Sequence, residues 1–367
     1  MASKEILIIS HKPPYPRIDG GSIAIAQLLE TLIEEGHHVT FLCIETDKHP
    51  AQTSISKKNL KFKAIFVNTE LKIASALLNI FTKQSYILSR FDNKKFRDEL
   101  KKILKKNTFD TILFESLFTS TYLDTVVQLS NAIKLYRSHN IEHQIWFEQS
   151  NQNKNIFKKW YLKIQAKRLK NEEIKFWKTI DSILSISDND RSHIIKYCTT
   201  PTHTIGLHTE KRLLQNNDQS TKVDFFHLGT MNWLPNQDGI NWLLKDVFPK
   251  VKQIEKSAEI HIAGRAMPAI LKSHKQDGYY NHGEIRTAED FISKHKVMLI
   301  PLFSGSGIRV KIIEGMSLGK CIISTSIGVK GINCTNNKNI LIANTKNEFI
   351  KAMCFCIQNP DKVHEIG

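Results

Sequence analysis

Residues 297–316 read VMLIPLFSGSGIRVKIIEGM, and this stretch decides the expected fold. The apolar run at 297–302 is typical of a buried parallel strand. A loop rich in glycine and serine follows at 303–307, and the apolar spacing after it indicates a helix. Strand, glycine loop and helix form the arrangement in which open α/β sheets bind ligands beyond the carboxyl ends of their strands.

The start of this helix is a predicted anion site. Free backbone N–H groups and the positive end of the helix dipole face the loop. Lys311 and Glu314 follow Gly307 at spacings of four and three, which predicts that all three share one helical face. Arg309 and Lys311 can neutralise phosphate oxygens, while the carboxylate of Glu314 can accept two hydroxyl protons from a sugar diol. The pattern predicts a nucleoside diphosphate; the alternative is ordinary helix capping without a ligand.

Length and composition indicate a soluble protein of two domains. The chain has 367 residues, of which 41% are hydrophobic and 24% charged. We expect no transmembrane helix, no secretory signal and a cytoplasmic location. The six cysteines show no paired zinc spacing, which predicts reduced, buried thiols. The glycine loop lacks the Gly-Lys-Ser/Thr of nucleotide triphosphatases, which argues against ATP hydrolysis.

The strong positive charge predicts an anionic partner or surface. The formal net charge is +16, and lysines concentrate on two predicted helices, at 94–106 and 157–170. In the second, Phe157, Trp160 and Tyr161 recur at helical spacing, separate from the cations. Such an amphipathic basic helix is suited to an anionic membrane surface. The alternative is a helix that packs on the core and exposes its lysines to solvent.

Strand and helix signals alternate through both halves of the chain. The expected strands are at 6–10, 39–44, 111–114, 133–136 and 183–186, then at 224–228, 259–263, 297–302 and 321–325. Between the halves, residues 205–221 lose periodicity and gain Asn, Gln and Ser. The prediction is an α/β protein with two doubly wound Rossmann-like domains, 1–205 and 223–367, joined by a linker at 206–222 and facing across a ligand cleft.

The first strand–helix junction also carries glycines. Residues 11–16 lead into Asp19-Gly20-Gly21-Ser22, where paired glycines let the backbone approach a ligand closely. A Gly-Gly pair alone is more often a simple turn. With the loop at 303–307, however, each domain offers a glycine loop at the carboxyl end of a strand.

Several stretches together resemble the retaining, two-domain glycosyltransferases of the group 1 type, which have the GT-B fold. The matching stretches are residues 13–21, 36–40, 137–142, 185–190, 229–236 and 305–319. The resemblance implies hexosyl transfer from a nucleotide-diphosphate sugar, bound by the C-terminal domain, to a glycan or lipid-linked acceptor on the N-terminal side. It also implies retained anomeric configuration, no metal or other cofactor, and a place in surface polysaccharide biosynthesis.

The resemblance implies roles for individual residues. The implied catalytic residues are His139, Arg309 and Lys311. The implied donor-binding residues are Gly20, Gly21, Ser304, Gly305, Ser306, Gly307 and Glu314. Glu314 would hold the ribose hydroxyls, and Arg309 and Lys311 would lie near the diphosphate. In the implied front-face mechanism the leaving phosphate helps to deprotonate the acceptor, so His139 would position and stabilise instead of acting as a general base.

The chain departs from the family pattern at two places. Ser306 stands where many relatives carry a glutamate, eight positions before the one that matches Glu314. Residues 230–233 lack the Arg and Lys that many relatives place after the first strand of this domain, so we expect Arg309 and Lys311 to supply the phosphate charge. The resemblance also implies a further helical tail beyond Gly367.

Two other functions stay open at this point. Residues 139–143 spell the His-x-x-Glu-His pattern of inverted zinc peptidases, although here they directly follow a predicted strand. The charge also fits a catalytically inert basic binding protein of the same fold. For the transferase, we expect peripheral contact with the inner face of the membrane and no nucleic-acid partner.

Overall fold

The computed structural model describes residues 2–52, 57–153, 155–206, 222–305 and 307–367. The chain forms two compact units, residues 1–206 and 207–367. Almost all of the expected linker, 206–222, lies outside the described residues. No helix in the described ranges combines the length and the apolar character needed to cross a bilayer.

The N-terminal unit is built on a parallel sheet. Its strands are β1 (Glu5–Ser10), β2 (His38–Glu45), β3 (Leu60–Phe66), β4 (Thr111–Glu115), β5 (Ile133–Ser138), β6 (Ser182–Ser185) and β7 (Thr202–Thr204). Within the described ranges these seven strands lie in the order β3-β2-β1-β4-β5-β6-β7. Leu7 and Ile9 of β1 join one apolar cluster and Ile6 and Ile8 join another, because successive side chains point to opposite faces. Both faces of the sheet are therefore buried.

Helices cover this sheet. They are α1 (Gly20–Glu34), α2 (Ile73–Leu78), α3 (Tyr86–Ser89), α4 (Lys94–Lys106), α5 (Leu123–Leu129), α6 (Glu142–Gln152), α7 (Ile156–Thr179) and α8 (Asp188–Ile194), with 3-10 turns at Asn79–Phe81 and Leu117–Tyr122. α1 begins after Asp19, whose carboxylate accepts from the backbone N–H of Ser22 at 2.8 Å in a capping box. α4 buries Phe96, Leu100 and Leu104 at helical spacing, which confirms the first predicted basic helix.

The C-terminal unit repeats the same plan. Its strands are β8 (Phe225–Leu228), β9 (Ile260–Ala263), β10 (Tyr279–Gly283), β11 (Val297–Ile300), β12 (Cys321–Ser324) and β13 (Leu341–Ile342). Its helices are α9 (Leu234–Trp242), α10 (Phe248–Ile254), α11 (Ala269–Lys272), α12 (Ala288–Ser293), α13 (Val310–Ser317), α14 (Lys346–Gln358) and α15 (Pro360–Ile366), and a π-helical turn, Leu243–Val247, joins α9 to α10. The described strands pair in parallel in the order β10-β9-β8-β11-β12-β13.

Strand order reverses once in each unit. In the N-terminal unit the chain passes from β1 outward to β3 and returns to β4 on the other side of β1. In the C-terminal unit it passes from β8 outward to β10 and returns to β11 on the other side of β8. The prediction of two doubly wound α/β domains is confirmed. At such a switch point the loops at the carboxyl ends of the two central strands diverge, and the crevice between them is where open α/β sheets bind ligands.

A close backbone contact holds the carboxyl ends of β8 and β9 together. Gly264 has a φ of +153°, and a Cβ at this position would overlap the carbonyl oxygen of Gly229.

We expect Gly264→Ala to destabilise the C-terminal unit by about 2–4 kcal/mol, because the methyl group must displace backbone in an unfavourable conformation. Urea unfolding, followed by a probe in that unit, measures the change. Gly206→Ala is the matched control, since no described residue lies within 4 Å of its added Cβ. Coincident unfolding curves for the two variants would refute the role given to Gly264.

Candidate functional site

Lys311 lies at the switch point of the C-terminal sheet. α13 carries it, and its Nζ reaches the loop after β8, where it donates to Oδ1 of Asn236 at 3.1 Å and to the carbonyl oxygen of Leu228 at 3.5 Å. Both acceptors are neutral. Burial lowers the pKa of Lys311 to about 7, and the charge of Arg309 acts in the same direction. A bound anion would stabilise the protonated form of this amine strongly, because the amine is desolvated and its present partners are neutral.

His227 adds a second polar group to this place. Its Nδ1 lies 2.8 Å from the carbonyl oxygen of Leu299, so Nδ1 carries the hydrogen and Nε2 the lone pair. Nε2 is buried and makes no hydrogen bond to any described residue. Burial, together with the charge of Lys311, lowers the pKa of His227 well below its usual value. The ring is therefore a neutral acceptor beside the amine.

Gly229 leaves room between these groups. A Cβ at this position would lie 3.1 Å from Nε2 of His227, 3.1 Å from Nζ of Lys311 and 2.8 Å from Nδ2 of Asn236. A side chain here would fill the space onto which the three polar groups converge. The absence of a Cβ keeps that space open to a ligand.

Arg309 is the N-cap residue of α13 and lies against the glycine loop. Its guanidinium stacks over the ring of Trp233, with 5.0 Å from Cζ to the ring centroid. Gly305 has a φ of +109°, and a Cβ there would lie 2.7 Å from Nη2 of Arg309 and 2.9 Å from Cζ2 of Trp233. The loop can pass this close to the stacked pair because residue 305 is glycine.

The helix begins later than the residue spacing predicted. α13 starts at Val310, and Gly307 precedes it with a φ of +79°. The expectation that Gly307 shares a helical face with Lys311 and Glu314 is therefore wrong. Glu314 lies in α13, almost one turn beyond Lys311, and is partly buried.

Ser304 and Gly305 lie in the loop after β11, between the strand and α13. Ser306, the other predicted donor-binding residue of this loop, lies outside the described residues. The structure thus brings Gly305, Arg309 and Lys311 to the start of α13, as the sequence predicted.

A buried carboxylate, Glu115, occupies the switch point of the N-terminal sheet. It ends β4 and is inaccessible to solvent. Nη1 of Arg137 donates to one carboxylate oxygen at 3.1 Å, and Nε2 of His139 binds the other. Burial acts to raise the pKa of Glu115, but the charge of Arg137 and the hydrogen bonds from His139 and Arg137 prevail and lower it to about 2. Glu115 is therefore ionised at neutral pH.

This ionised carboxylate fixes the orientation of His139. Nε2 must carry the hydrogen that Glu115 accepts, so the lone pair of the neutral ring lies on Nδ1. Burial lowers the pKa of His139, which outweighs the opposite effect of Glu115. His11 lies beside it, with ring centroids 6.2 Å apart. His139 is thus a neutral imidazole held in one orientation.

Gly20 and Gly21 open α1 beside an ion pair that the sequence reasoning missed. Nζ of Lys12 lies 2.7 Å from Oδ1 of Asp19, and Nε2 of His49 lies 3.0 Å from Oδ2. Burial acts to raise the pKa of Asp19, but the hydrogen bond to His49 and the charge of Lys12 hold it well below its usual range. A Cβ on Gly21 would overlap Nζ of Lys12, so glycine lets the lysine cross the start of the helix.

The His-x-x-Glu-His stretch does not gather its side chains around one point. His139 lies in the loop after β5 and binds Glu115, whereas His143 lies in α6 with its Nδ1 2.7 Å from Glu173. Burial and the charge of Glu173 raise the pKa of Glu142 to about 7. Within the described ranges, the three potential ligands that come together are elsewhere in the chain. The geometry therefore gives no support to the zinc-peptidase alternative.

The functional groups that the sequence reasoning did not single out are Glu115, Arg137, His227 and Asn236. Arg137 and Asn236 fall inside the stretches that carry the family resemblance, at 137–142 and 229–236. Glu115 and His227 had a different signal, since each is a charged or titratable residue in an otherwise apolar strand, at or near its carboxyl end.

The family of the C-terminal unit follows from a direct comparison. The family model for glycosyl transferases group 1 matches residues 222–359. This unit belongs to the group 1 glycosyltransferases. The family assignment made from the sequence is confirmed, and the glycine loop, Arg309, Lys311 and Glu314 all lie within the matched segment.

The similarity to known proteins extends over the whole chain. A protein of Klebsiella pneumoniae, described as an uncharacterized 44.6 kDa protein in the cps region, is 24% identical over 375 residues, which cover 99% of this chain and 93% of that protein. Sucrose-phosphate synthase from Thermosynechococcus elongatus superposes with a TM-score of 0.74 at 14% identity, covering 99% of this chain and 92% of its own. A variant of TarM from S. aureus superposes with a TM-score of 0.68 at 11% identity, covering 99% of this chain and 94% of the TarM chain. These likenesses show the GT-B fold of the glycosyltransferases.

The lowered pKa of Lys311 predicts a pH-dependent stability. In the unfolded chain Lys311 keeps its proton up to its ordinary pKa of 10.5, whereas in the folded protein it loses the proton above about pH 7. Folding therefore releases a proton between these values, so the contribution of Lys311 to stability rises with pH there. We expect Lys311→Met to lack this rise and to exceed the parent in stability most clearly below pH 7.

Urea unfolding at several values from about pH 6 to about pH 9 provides the measurement. Lys256→Met, which replaces an exposed lysine of the same unit, is the control. If the difference between parent and Lys311→Met stays constant with pH, Lys311 has an ordinary pKa.

Proposed function

We propose that this chain transfers a hexose from a nucleoside-diphosphate sugar to a glycan or lipid-linked acceptor, with retention of anomeric configuration. The observation that carries the proposal is the convergence of Lys311, Arg309 and the start of α13 on the switch point between β8 and β11. Two cationic side chains and a helix N-terminus at one place are suited to a diphosphate. The segment that holds them belongs to a glycosyltransferase family.

The donor nucleotide is a nucleoside diphosphate, with UDP as the first candidate. The TarM structure contains UDP, together with fondaparinux and alpha-GlcNAc-glycerol. Glu314 lies in α13 on the carboxyl side of Lys311, where its carboxylate can accept the ribose hydroxyls. Ser304, Gly305 and Gly307 contribute the loop that approaches the phosphates, and Ser306 is assigned to the donor from the sequence alone.

The reaction breaks the bond between the anomeric carbon and a diphosphate oxygen and forms a bond to the acceptor oxygen on the same face of the sugar. The acceptor proton passes to the departing phosphate oxygen. Negative charge grows on the leaving group, so groups that are already oriented towards it stabilise the transition state more than the ground state. Arg309 and Lys311 supply this charge, and we propose that transfer needs no metal.

His139 is proposed to position the transferred sugar. Its neutral ring presents the lone pair of Nδ1, which can accept a hydrogen bond from a sugar hydroxyl. Glu115 and Arg137 hold the ring in this orientation from behind. Gly20 and Gly21, next to the Lys12–Asp19 pair, are the other N-terminal groups that we assign to the donor.

Surface polysaccharide biosynthesis is the proposed setting. The Klebsiella pneumoniae relative is described as a protein in the cps region. Its similarity covers almost the whole of both chains, which supports a related role.

Calorimetric titration with UDP, GDP and ADP, in buffer that contains a chelator, tests the donor site. We expect one nucleotide to bind, and Glu314→Ala to weaken it by about 10- to 100-fold, because hydrogen bonds to a charged group are lost. Lys311→Met should lower turnover more than it lowers nucleotide affinity, because growing charge is felt most in the transition state. Glu365→Ala, which removes an exposed carboxylate from α15, is the control.

Two results would contradict the assignment. Equal nucleotide affinity in the parent and in Glu314→Ala would remove Glu314 from the donor site. Absence of binding to all three nucleotides, in protein shown to be folded, would instead favour an inert binding protein of this fold. Once a product is obtained, NMR of its anomeric proton distinguishes retention from inversion.

The start of α7 supports contact with a membrane. Ile156 and Phe157 are 79% and 84% exposed and Trp160 is 55% exposed, next to Lys158 and Lys159. Further along the helix, Ala166, Leu169, Phe176 and Trp177 pack into the core. The membrane-facing interpretation thus describes the first turns of α7, and the core-packing interpretation describes the rest of the helix. We propose that the exposed first turns rest on an anionic membrane surface.

Sedimentation with lipid vesicles tests this contact. We expect Phe157→Ser combined with Trp160→Ser to reduce binding to vesicles of phosphatidylglycerol and phosphatidylcholine by more than about tenfold, because two large apolar side chains no longer insert. Ile195→Ser, which removes an exposed apolar side chain of the same unit, is the control. The proposal is contradicted if the parent and the double variant bind the vesicles equally. It is also contradicted if the parent binds vesicles of pure phosphatidylcholine as well as it binds those that contain phosphatidylglycerol.

A further inference from the structure

Three histidines of the C-terminal unit converge away from the donor site. His261 belongs to β9, His282 to β10, and His295 precedes β11. Each offers one ring nitrogen, and these three nitrogens lie within 4.8 Å of one another. The three rings come from three separate elements of one sheet. A ligand bound by all three would tie those elements together.

The spacing of the ring nitrogens suits a shared metal ion. Nδ1 of His261 lies 3.0 Å from Nε2 of His282. Two imidazole nitrogens that bind one ion at about 2.0–2.1 Å in tetrahedral geometry lie roughly 3.3 Å apart. The observed pair is close to that separation, so small rotations of the two rings suffice to admit an ion between them.

Asp224 orients His295 from behind and lies near His261. Its Oδ2 lies 2.5 Å from Nδ1 of His295 and 3.7 Å from Nε2 of His261. Metal-binding histidines usually donate their other ring N–H to a carboxylate, which fixes the tautomer and makes the ligating nitrogen more basic. With Nδ1–H of His295 directed at Asp224, Nε2 of that ring carries the lone pair. Nε2 of His261 is buried and has no hydrogen-bond partner among the described residues.

The three imidazole ligands limit which ions this cluster can hold. Neutral imidazole is a ligand for zinc, copper, nickel and iron and a poor one for magnesium or calcium.

Part of this cluster lies at the opposite end of the sheet from Lys311. Asp224 and His295 precede β8 and β11, whereas Lys311 contacts Leu228 at the carboxyl end of β8. His295 therefore lies away from the groups that Lys311 contacts. We expect a bound ion to act on the stability of the unit and not on the chemistry of transfer.

We propose that His261, His282 and His295 form a binding site for a divalent transition-metal ion such as Zn²⁺, with Asp224 as the carboxylate that orients His295. Three protein ligands leave one position for water in a tetrahedral complex. The ion links β9, β10 and the segment before β11, and it stabilises the folded C-terminal unit because it binds that state preferentially.

Titration of the full chain, first freed of metal with a chelator, tests the site. Co²⁺ should give the visible absorption bands of a tetrahedral complex, and Zn²⁺ should bleach them by competition. Zn²⁺ should also raise the thermal unfolding midpoint. We expect Asp224→Asn to weaken Zn²⁺ binding by about 10- to 100-fold, the range typical of lost carboxylate partners. His282→Gln, at an exposed position where folding is least disturbed, should weaken binding further.

His364→Gln, which replaces an exposed histidine of α15, is the matched control and should bind Zn²⁺ like the parent. The proposal fails if His282→Gln and His364→Gln have the same affinity, since binding would then be non-specific. It also fails if the parent gives no cobalt spectrum, in which case the histidines form a hydrogen-bonded cluster only. Nucleotide binding by His282→Gln should equal that of the parent.

Discussion

The amine of Lys311 lies between the loops that follow β8 and β11, and its partial burial there is the constraint that the rest of the C-terminal unit accommodates. Desolvation of a cation costs free energy, and Asn236 and Leu228 offset it only with neutral oxygens. Apolar burial offsets this free-energy cost: all four residues of β11 are buried, and apolar clusters cover both faces of the sheet. A rigid support keeps the amine in place until an anion arrives.

The interior of both sheets could be predicted from the sequence, and their edges could not. The nine predicted strands are β1, β2, β4, β5, β6, β8, β9, β11 and β12, whereas β3, β7, β10 and β13 were missed. All four missed strands are edges of their sheets. Interior parallel strands are covered on both faces and read as continuous apolar runs. In an edge strand such as β3, Lys61 and Lys63 alternate with apolar residues. This short alternating pattern is a weaker signal than a continuous apolar run.

The candidate site was predicted where local sequence determines it. The glycine loop and the cations at 309 and 311 are neighbours in the chain, so spacing was enough to group them. The predicted place of Gly307 on the face of α13 was wrong, because residue spacing does not show where a helix begins. His227 and Asn236 meet Lys311 across about 75 to 84 residues of chain, and only the strand order β9-β8-β11 brings them together. Contacts of that range depend on topology, which the sequence predicted only as a class.

The two switch points hold their charges differently, and the difference argues for different tasks. In the N-terminal unit every ionised group at the switch point has an opposite partner: Glu115 has Arg137, and Asp19 has Lys12. Such a network fixes the orientation of His139 and has no need of an external ion. In the C-terminal unit Lys311 is paired with neutral oxygens, so its electrostatic stabilisation is incomplete. A dianionic ligand would complete it, raise the pKa of Lys311 and draw a proton onto the amine. In the proposed reaction, binding and protonation are thereby linked, and the arrival of the proposed donor generates the charge that its leaving diphosphate requires.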